Sequence, residues 1–351
     1  MSARANFFQP HIDAMSGYVP GEQPRDGEYI KLNTNENPYP PSPKVADAIQ
    51  QALDGRLRRY PDPMGNAFRQ AASSVTGVTP DMILAGNGSD DLLTIITRAF
   101  VGAGELVVYP TPSYILYRTL AELQNSAYQE VPFRNDWTLD PAEFAVSGVK
   151  LAFLANPNSP SGTCLPPAEV AKLAAAMPCP LIVDEAYGDF AETNCISLVA
   201  DHPNVIVTRT FSKGYGLAGL RLGYLIARPE IVAGLEKVKD SYNCDTLSHH
   251  GGTAAILDQP YLQATRAKII ATRRRLTDAM RALGYSVPES SANFVWCEGG
   301  LPAKDVYDAL RARKILVRLM KYPNREAGLR ITVGTDSEID ALIAAMKTIV
   351  G

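Results

Sequence analysis

Asp184 closes the run Pro180-Leu-Ile-Val-Asp184, and a carboxylate behind four apolar residues is costly to bury without a partner. Lys213 stands just past the next apolar run, within Thr210-Phe-Ser-Lys-Gly214. Small hydroxyls around a lysine suit an anion held beside an amine. Arg221 follows in a predicted strand, where its charge also needs a partner. Gly86-Asn-Gly-Ser-Asp-Asp91 reads as a phosphate cradle: glycines admit close backbone approach, and Ser89 is expected to cap a helix whose N–H groups point at the anion. Asp90 and Asp91 complement the helix dipole, but their charges have to face away from a bound phosphate. Each feature alone has a plainer reading as a cap, a turn or a solvated charge; the ordered set carries the argument.

Two phosphate motifs are excluded. G-x-x-x-x-G-K-[ST] does not occur. Gly214-Tyr-Gly-Leu-Ala-Gly219 fits G-x-G-x-x-G literally, yet it runs into a predicted strand where a dinucleotide site needs a helix to open.

The elements that must position these groups follow from the apolar pattern. Residues 105–109, 151–155, 180–184, 204–208 and 219–227 read as buried strands with helical stretches between them, which predicts parallel crossovers and a doubly wound α/β sheet. Ligands bind such sheets outside the strands' carboxyl ends, where the candidate residues fall. Ser42, Pro43, Val45, Ile49, Leu53 and Gly55 mark a helix with its cap and stop. The pattern changes after about residue 245: a long helical stretch (258–283), strand-like runs at 293–297, 314–318 and 329–334, and a last helix with Thr335 and Glu338 as a capping box. The expected division is an N-terminal arm (1–41) packed on the small domain, a large domain (42–245) and a smaller α+β domain (246–351).

Composition narrows the classes. With 351 residues, 34 Lys plus Arg against 37 Asp plus Glu and no basic tail, the chain offers no footprint for nucleic acid. Arg273-Arg274-Arg275 falls in a predicted helix and reads as a solvated face. The five cysteines include no C-x-x-C pair and suit a reducing, cytoplasmic setting. No stretch reads as a signal peptide or membrane span. The four histidines include no H-x-x-x-H pair, so no metal site is expected; His249 and His250 would point to different sides in a strand, and solvated or core histidines explain them better.

Asn156-Pro-Asn-Ser-Pro-Ser-Gly162, Asp184-Glu-Ala-Tyr187, Ser212-Lys213 and Leu217-Ala-Gly-Leu-Arg-Leu-Gly223 together resemble the class I/II aminotransferases of pyridoxal-phosphate (PLP) fold type I. Gly17-Tyr-Val-Pro-Gly21, Lys31-Leu-Asn-Thr-Asn-Glu-Asn-Pro38, Arg59-Tyr-Pro-Asp62 and Gly328-Leu-Arg-Ile-Thr-Val-Gly334 extend the likeness from about residue 15 to the end. They are similar to the branch whose amine substrate carries a phosphate. The resemblance implies a large, mostly parallel sheet domain plus a smaller α+β domain, and pyridoxal 5'-phosphate as cofactor. It makes Lys213 the Schiff-base lysine and proton carrier, Asp184 the partner of the pyridinium nitrogen, Tyr187 the donor to the phenolic oxygen and Tyr114 the stacking ring. By the same resemblance Gly88, Ser89, Ser212 and Arg221 would hold the cofactor's phosphate, with Tyr60 reaching it from the other subunit of a homodimer. Arg330 would take the carboxylate of glutamate or 2-oxoglutarate. With Tyr18 and Arg318 it takes the phosphate of the amine, and Asn35 joins this substrate set. One position departs from the family: Ser159 stands where an asparagine precedes Pro-[TS]-Gly, so either Asn158 substitutes or Tyr187 serves the phenolic oxygen alone. An aromatic amino-acid aminotransferase and a decarboxylase acting on an amino-acid phosphate share the cofactor residues. A non-catalytic effector domain is disfavoured by the intact Lys213 and by the lack of a helix-turn-helix segment before residue 40.

Overall fold

The computed structural model describes residues 7–17, 21–23, 27–323 and 325–351. Seven strands form its main sheet: β1 (Ile83–Gly86), β2 (Leu106–Thr111), β3 (Ala127–Pro132), β4 (Val149–Ala155), β5 (Leu181–Asp184), β6 (Val205–Thr210) and β7 (Gly223–Ile226). Their order is β1-β7-β6-β5-β4-β2-β3. The pairs β2–β3, β2–β4, β4–β5 and β5–β6 are parallel, and β7 runs antiparallel to both its neighbours. Alternate residues feed two cores: Val108, Leu154, Val183 and Val207 enter one face, and Val107, Phe153, Ile182 and Ile206 the other. A sheet covered on both sides needs unbroken apolar runs, which is why these strands read clearly.

From β2 the chain moves outward to the edge strand β3, then returns on the far side of β2 to form β4. The strand order therefore reverses between β2 and β4, and a crevice opens there beyond the carboxyl ends.

The helix Pro43–Ala52 begins as expected, with proline in its first turn and the Ser42 side chain accepting from the Lys44 amide. The helix Thr246–Leu257 was not legible, because its small residues Gly251, Gly252, Ala254 and Ala255 give no amphipathic stripe. It packs on the helices Pro43–Ala52 and Asn66–Thr76. A Cβ on Gly251 would lie 2.8 Å from a Leu220 methyl, so the close fit requires the missing side chain. His249 and His250 thus lie on a helix, a correction to the strand reading. The arm also contains a short helix, Pro10–Ala14, that its composition did not announce.

The long helix Gln259–Ala282 leads to a second unit, in which β8 (Phe294–Cys297), β9 (Arg318–Met320) and β10 (Gly328–Thr332) form an antiparallel sheet in the order β9-β10-β8. The run read as one strand at 314–318 is split. Ile315–Leu316 pairs in parallel with Ile30–Lys31 of the arm, and Arg318 begins β9. The Thr335–Glu338 capping box forms at the last helix, Asp336–Val350. Among the described residues no helix is long and apolar enough to cross a membrane.

Candidate active site

A cavity of about 270 Å³ opens at the predicted crevice. Ser113 and Tyr114 after β2, Ser159 after β4, Asp184 and Tyr187 at the end of β5, and Ser212 and Lys213 after β6 form one wall. Asn35, Arg318 and Arg330 come from the arm and the small sheet. The residues from Ser113 to Lys213 meet here because parallel strands present their carboxyl ends on one edge, and the arm and small sheet close the other side.

Lys213 Nζ donates to the carbonyl of Thr34 at 3.1 Å. Burial lowers its pKa to about 8, and the positive charge of Arg330 adds to the effect. The Asn37 amide donates to the carbonyls of Lys213 and Gly214, at 2.9 Å each, and fixes the backbone that carries the amine.

Asp184 is 3% exposed. Its Oδ2 accepts from the Tyr117 hydroxyl at 2.9 Å, and its Oδ1 accepts from the Thr208 hydroxyl at 3.1 Å and the Ala186 amide at 3.2 Å. Burial pushes the carboxyl up to about 6, and these donors oppose the shift without cancelling it. Thr208 is the register partner of Asp184 on β6, so the sheet itself delivers that hydroxyl. Tyr187 Oη accepts from Asn35 Nδ2 at 2.9 Å. Asn35 adopts φ 56°, a left-handed conformation that asparagine tolerates, and is held by Thr332 and Asn293.

At the opposite end the cradle differs from its sequence reading. Gly88, at φ 89°, takes the cap position, and Ser89 is the first residue of the helix Ser89–Phe100. A Cβ on Gly88 would lie 2.7 Å from Arg221 Nη2, so glycine is what admits the guanidinium. Arg221 Nη1 donates to Ser212 Oγ at 3.4 Å. Asp91 turns back to the Asn87 amide and the Asn243 side chain, away from the cavity, as expected. Asp90 does not: it lines the cavity, accepts from the Tyr114 hydroxyl at 3.3 Å and lies 3.9 Å from Arg221. The nearby cation makes that orientation tolerable.

Not every candidate reaches the cavity. Asn158 is 2% exposed and lies behind it, its amide donating to Pro112 O and Ser161 Oγ and accepting from Ser113 Oγ. Ser159 is the residue that borders it, accepting from Arg330 Nη1 at 3.1 Å. Tyr60 lies away from the cavity of its own chain, 80% exposed and stacked on Tyr242. Tyr18 lies outside the described residues.

Tyr117, Thr208 and Asn37 escaped sequence reasoning. Tyr117 sits in a helix whose apolar spacing assigns it to the core, and its hydroxyl becomes visible only once β5 is beside it. Tyr117→Phe is expected to weaken PLP binding about tenfold, because Asp184 loses one hydrogen bond to its charged form, of about 1.5–3 kcal/mol. A PLP titration of the cofactor-free protein measures this, and unchanged affinity would remove Tyr117 from the site.

The donor set suits PLP: an amine of lowered pKa, a buried carboxylate in the same cavity, and a helix N-terminus with Ser212 and Arg221 for a phosphate. Among the described residues Arg330 Nε is buried without a hydrogen-bond partner, which suits a site that receives an anion.

Residues 27–346 match the family Aminotransferase class I and II, and the chain belongs to this family of PLP-dependent transaminases. Histidinol-phosphate aminotransferase of Rhodopirellula baltica is 52% identical over 97% of this chain and 95% of its own length. Histidinol-phosphate aminotransferase 1 of Nostoc sp. is 47% identical over 97% and 98%. Among solved structures, histidinol-phosphate aminotransferase from Sinorhizobium meliloti in complex with pyridoxal-5'-phosphate aligns with a TM-score of 0.91 at 30% identity, covering 99% of this chain and 98% of that one. Aspartate aminotransferase from Thermus thermophilus with maleate, at a TM-score of 0.80 and 18% identity, shares the fold.

Proposed function

We propose that this chain transfers the amino group of glutamate to imidazole-acetol phosphate, forming 2-oxoglutarate and L-histidinol phosphate, as a reversible step of histidine biosynthesis. The observation that carries this reading is the pair Arg318 and Arg330, directly opposite each other on β9 and β10 and both lining the cavity that holds Lys213. One substrate carries a phosphate and no carboxylate, the other two carboxylates and no phosphate. A single arginine-lined site serves both in turn, because guanidinium groups accept either anion through paired hydrogen bonds.

Bound PLP supplies the electron sink for the bond broken at the amine-bearing carbon. Lys213 takes and returns the proton at that carbon, a task matched by its pKa of about 8. Asp184 would hold the proton on the ring nitrogen, and Tyr187, oriented by Asn35, would donate to the phenolic oxygen. Tyr114 would stack on the ring. The backbone of Gly88 and Ser89, with Ser212 and Arg221, would bind the cofactor's phosphate. Asn158 acts from behind by fixing Ser113. Tyr60, exposed and aromatic, reaches the phosphate in a second copy of the chain, so the working unit is a homodimer. Residues 42–245, with the helix Thr246–Leu257 packed on them, form the large domain, the residues from the long helix to 351 the small one and those up to 41 the arm, within a reducing, cytoplasmic compartment.

Two arginine variants separate the anions. Arg330→Met is expected to raise KM for both substrates by about 100-fold, the loss of a strong charge-assisted pair. Arg318→Met should raise KM for histidinol phosphate about tenfold and leave that for 2-oxoglutarate within twofold, because a carboxylate has one oxygen fewer to place. The decisive experiment is the visible spectrum of the PLP-loaded protein before and after L-histidinol phosphate, with no keto acid present. Bleaching of the yellow band is the expected result. Bleaching by phenylalanine or tyrosine alone would move the assignment to aromatic transamination, and loss of CO₂ from an amino-acid phosphate to decarboxylation.

A further inference from the structure

Tyr187 and Lys213 face each other with the amine 5.9 Å from the ring centroid, and each is followed in sequence by a glycine. Neither Gly188 nor Gly214 has a positive φ, so conformational freedom does not explain them. Space does: a Cβ on Gly188 would collide with the Arg209 guanidinium, and one on Gly214 with the Asp189 carboxylate.

Arg209 and Asp189 belong to a buried ion cluster on the far side of the sheet from the cavity. Arg209 Nη1 lies 3.3 Å from Glu185 Oε2 and 3.7 Å from Asp189 Oδ1. Glu185 Oε1 accepts from the Cys195 amide. Arg266, from the helix Gln259–Ala282, donates to the carbonyls of Asp189 and Ala191 at 2.7 and 2.8 Å. The two carboxylates thus share the Arg209 guanidinium while Arg266 holds the backbone of the same turn, and none of the four side chains lines the catalytic cavity. On β6, Arg209 lies between Thr208, which donates to Asp184, and Thr210, which donates to Ser212; strand alternation sends it to the opposite face. Glu185 and Asp189 bracket the turn that carries Tyr187.

A buried ion cluster is a poor source of net stability compared with apolar packing, but it fixes geometry. We propose that Arg209 is a positioning residue for the reaction: through Glu185 and Asp189 it sets the separation of Tyr187 from Lys213, with Gly188 and Gly214 as the points of contact. The proposal rests on the reading that these two side chains hold the cofactor. The Arg266 bonds tie the same turn to the helix leading to Arg318 and Arg330, so both halves of the site share one anchor.

The test uses Arg209→Met, Arg209→Lys and Gly214→Ala in the full chain, reading PLP dissociation constant, Tm, and kcat against KM. Gly214→Ala keeps every charge and presses first on the Asp189 carboxylate. Arg209→Met and Gly214→Ala are each expected to weaken PLP binding about tenfold or more and to lower kcat by a larger factor than they change KM, as small misplacements of reacting groups do. Arg209→Lys should recover part of both. Variants that lose Tm but keep the parental PLP affinity and kcat within twofold would overturn the proposal by making the cluster purely structural. If Arg209→Met does not fold, the other two variants decide by the same criterion. A parent protein that takes up no PLP would instead sink the underlying assignment of Lys213.

Discussion

Replacing Lys213 by arginine is expected to leave a folded, PLP-binding protein that turns over about 10⁴-fold more slowly, the upper range for losing a positioned acid–base group. Arginine keeps the charge and the reach, so phosphate and carboxylate binding survive. It cannot release a proton near neutrality, whereas Lys213 is held at about 8 by burial and by Arg330. Borohydride treatment of the loaded protein followed by mass measurement gives the second readout: the parent gains the mass of the cofactor at Lys213 and the variant does not. Turnover within tenfold of the parent would remove Lys213 from the chemistry. The same electrostatics predicts that Arg330→Met raises the lysine's titration midpoint, because a neighbouring cation that disfavours the ammonium has gone.

Asp184→Asn is expected to act in opposite directions on stability and on binding. In the unfolded chain this carboxyl titrates near 3.8, and in the folded, cofactor-free protein burial pushes it up to about 6. A carboxyl raised on folding contributes its full stability below 3.8, loses it as pH climbs to 6, and above that leaves a buried charge costing up to about 3 kcal/mol. The cofactor-free variant should therefore melt at a higher temperature than the parent at pH 8, with the difference closing near pH 4. PLP affinity should fall by about 100-fold, the loss of a strong bond to the ring nitrogen, and turnover should fall with it. Paired melting curves at the two pH values, alongside PLP titrations, check both halves. A variant that melts below the parent at pH 8 would show that the Tyr117 and Thr208 bonds outweigh the burial of the charge.

Much of this site was legible because its chemistry requires uncommon placements. A carboxylate after PLIV, a lysine amid hydroxyls and an arginine inside an apolar strand each break a local rule, and Asp184, Lys213 and Arg330 all border the cavity. The parallel strands read well because burial on both faces demands continuous apolar runs. The helix Thr246–Leu257 did not, since its contacts depend on glycines packing against Leu220 and Leu222 rather than on a stripe. Nor did the division of 314–318 between two sheets, which depends on which strands come to pair with it.

The sequence by itself determined the class of fold, the order of its elements and the reactive residues, because apolar period and misplaced charge are written locally. Only the tertiary structure decided what those residues touch. It set Tyr117 on Asp184, turned Asp90 into the cavity, kept Asn158 behind the wall that Ser159 borders, and drew Arg209 up to Gly188. Each of these depends on contacts between segments far apart in the chain. Local spacing does not encode them, because sheet register and helix packing choose the partner.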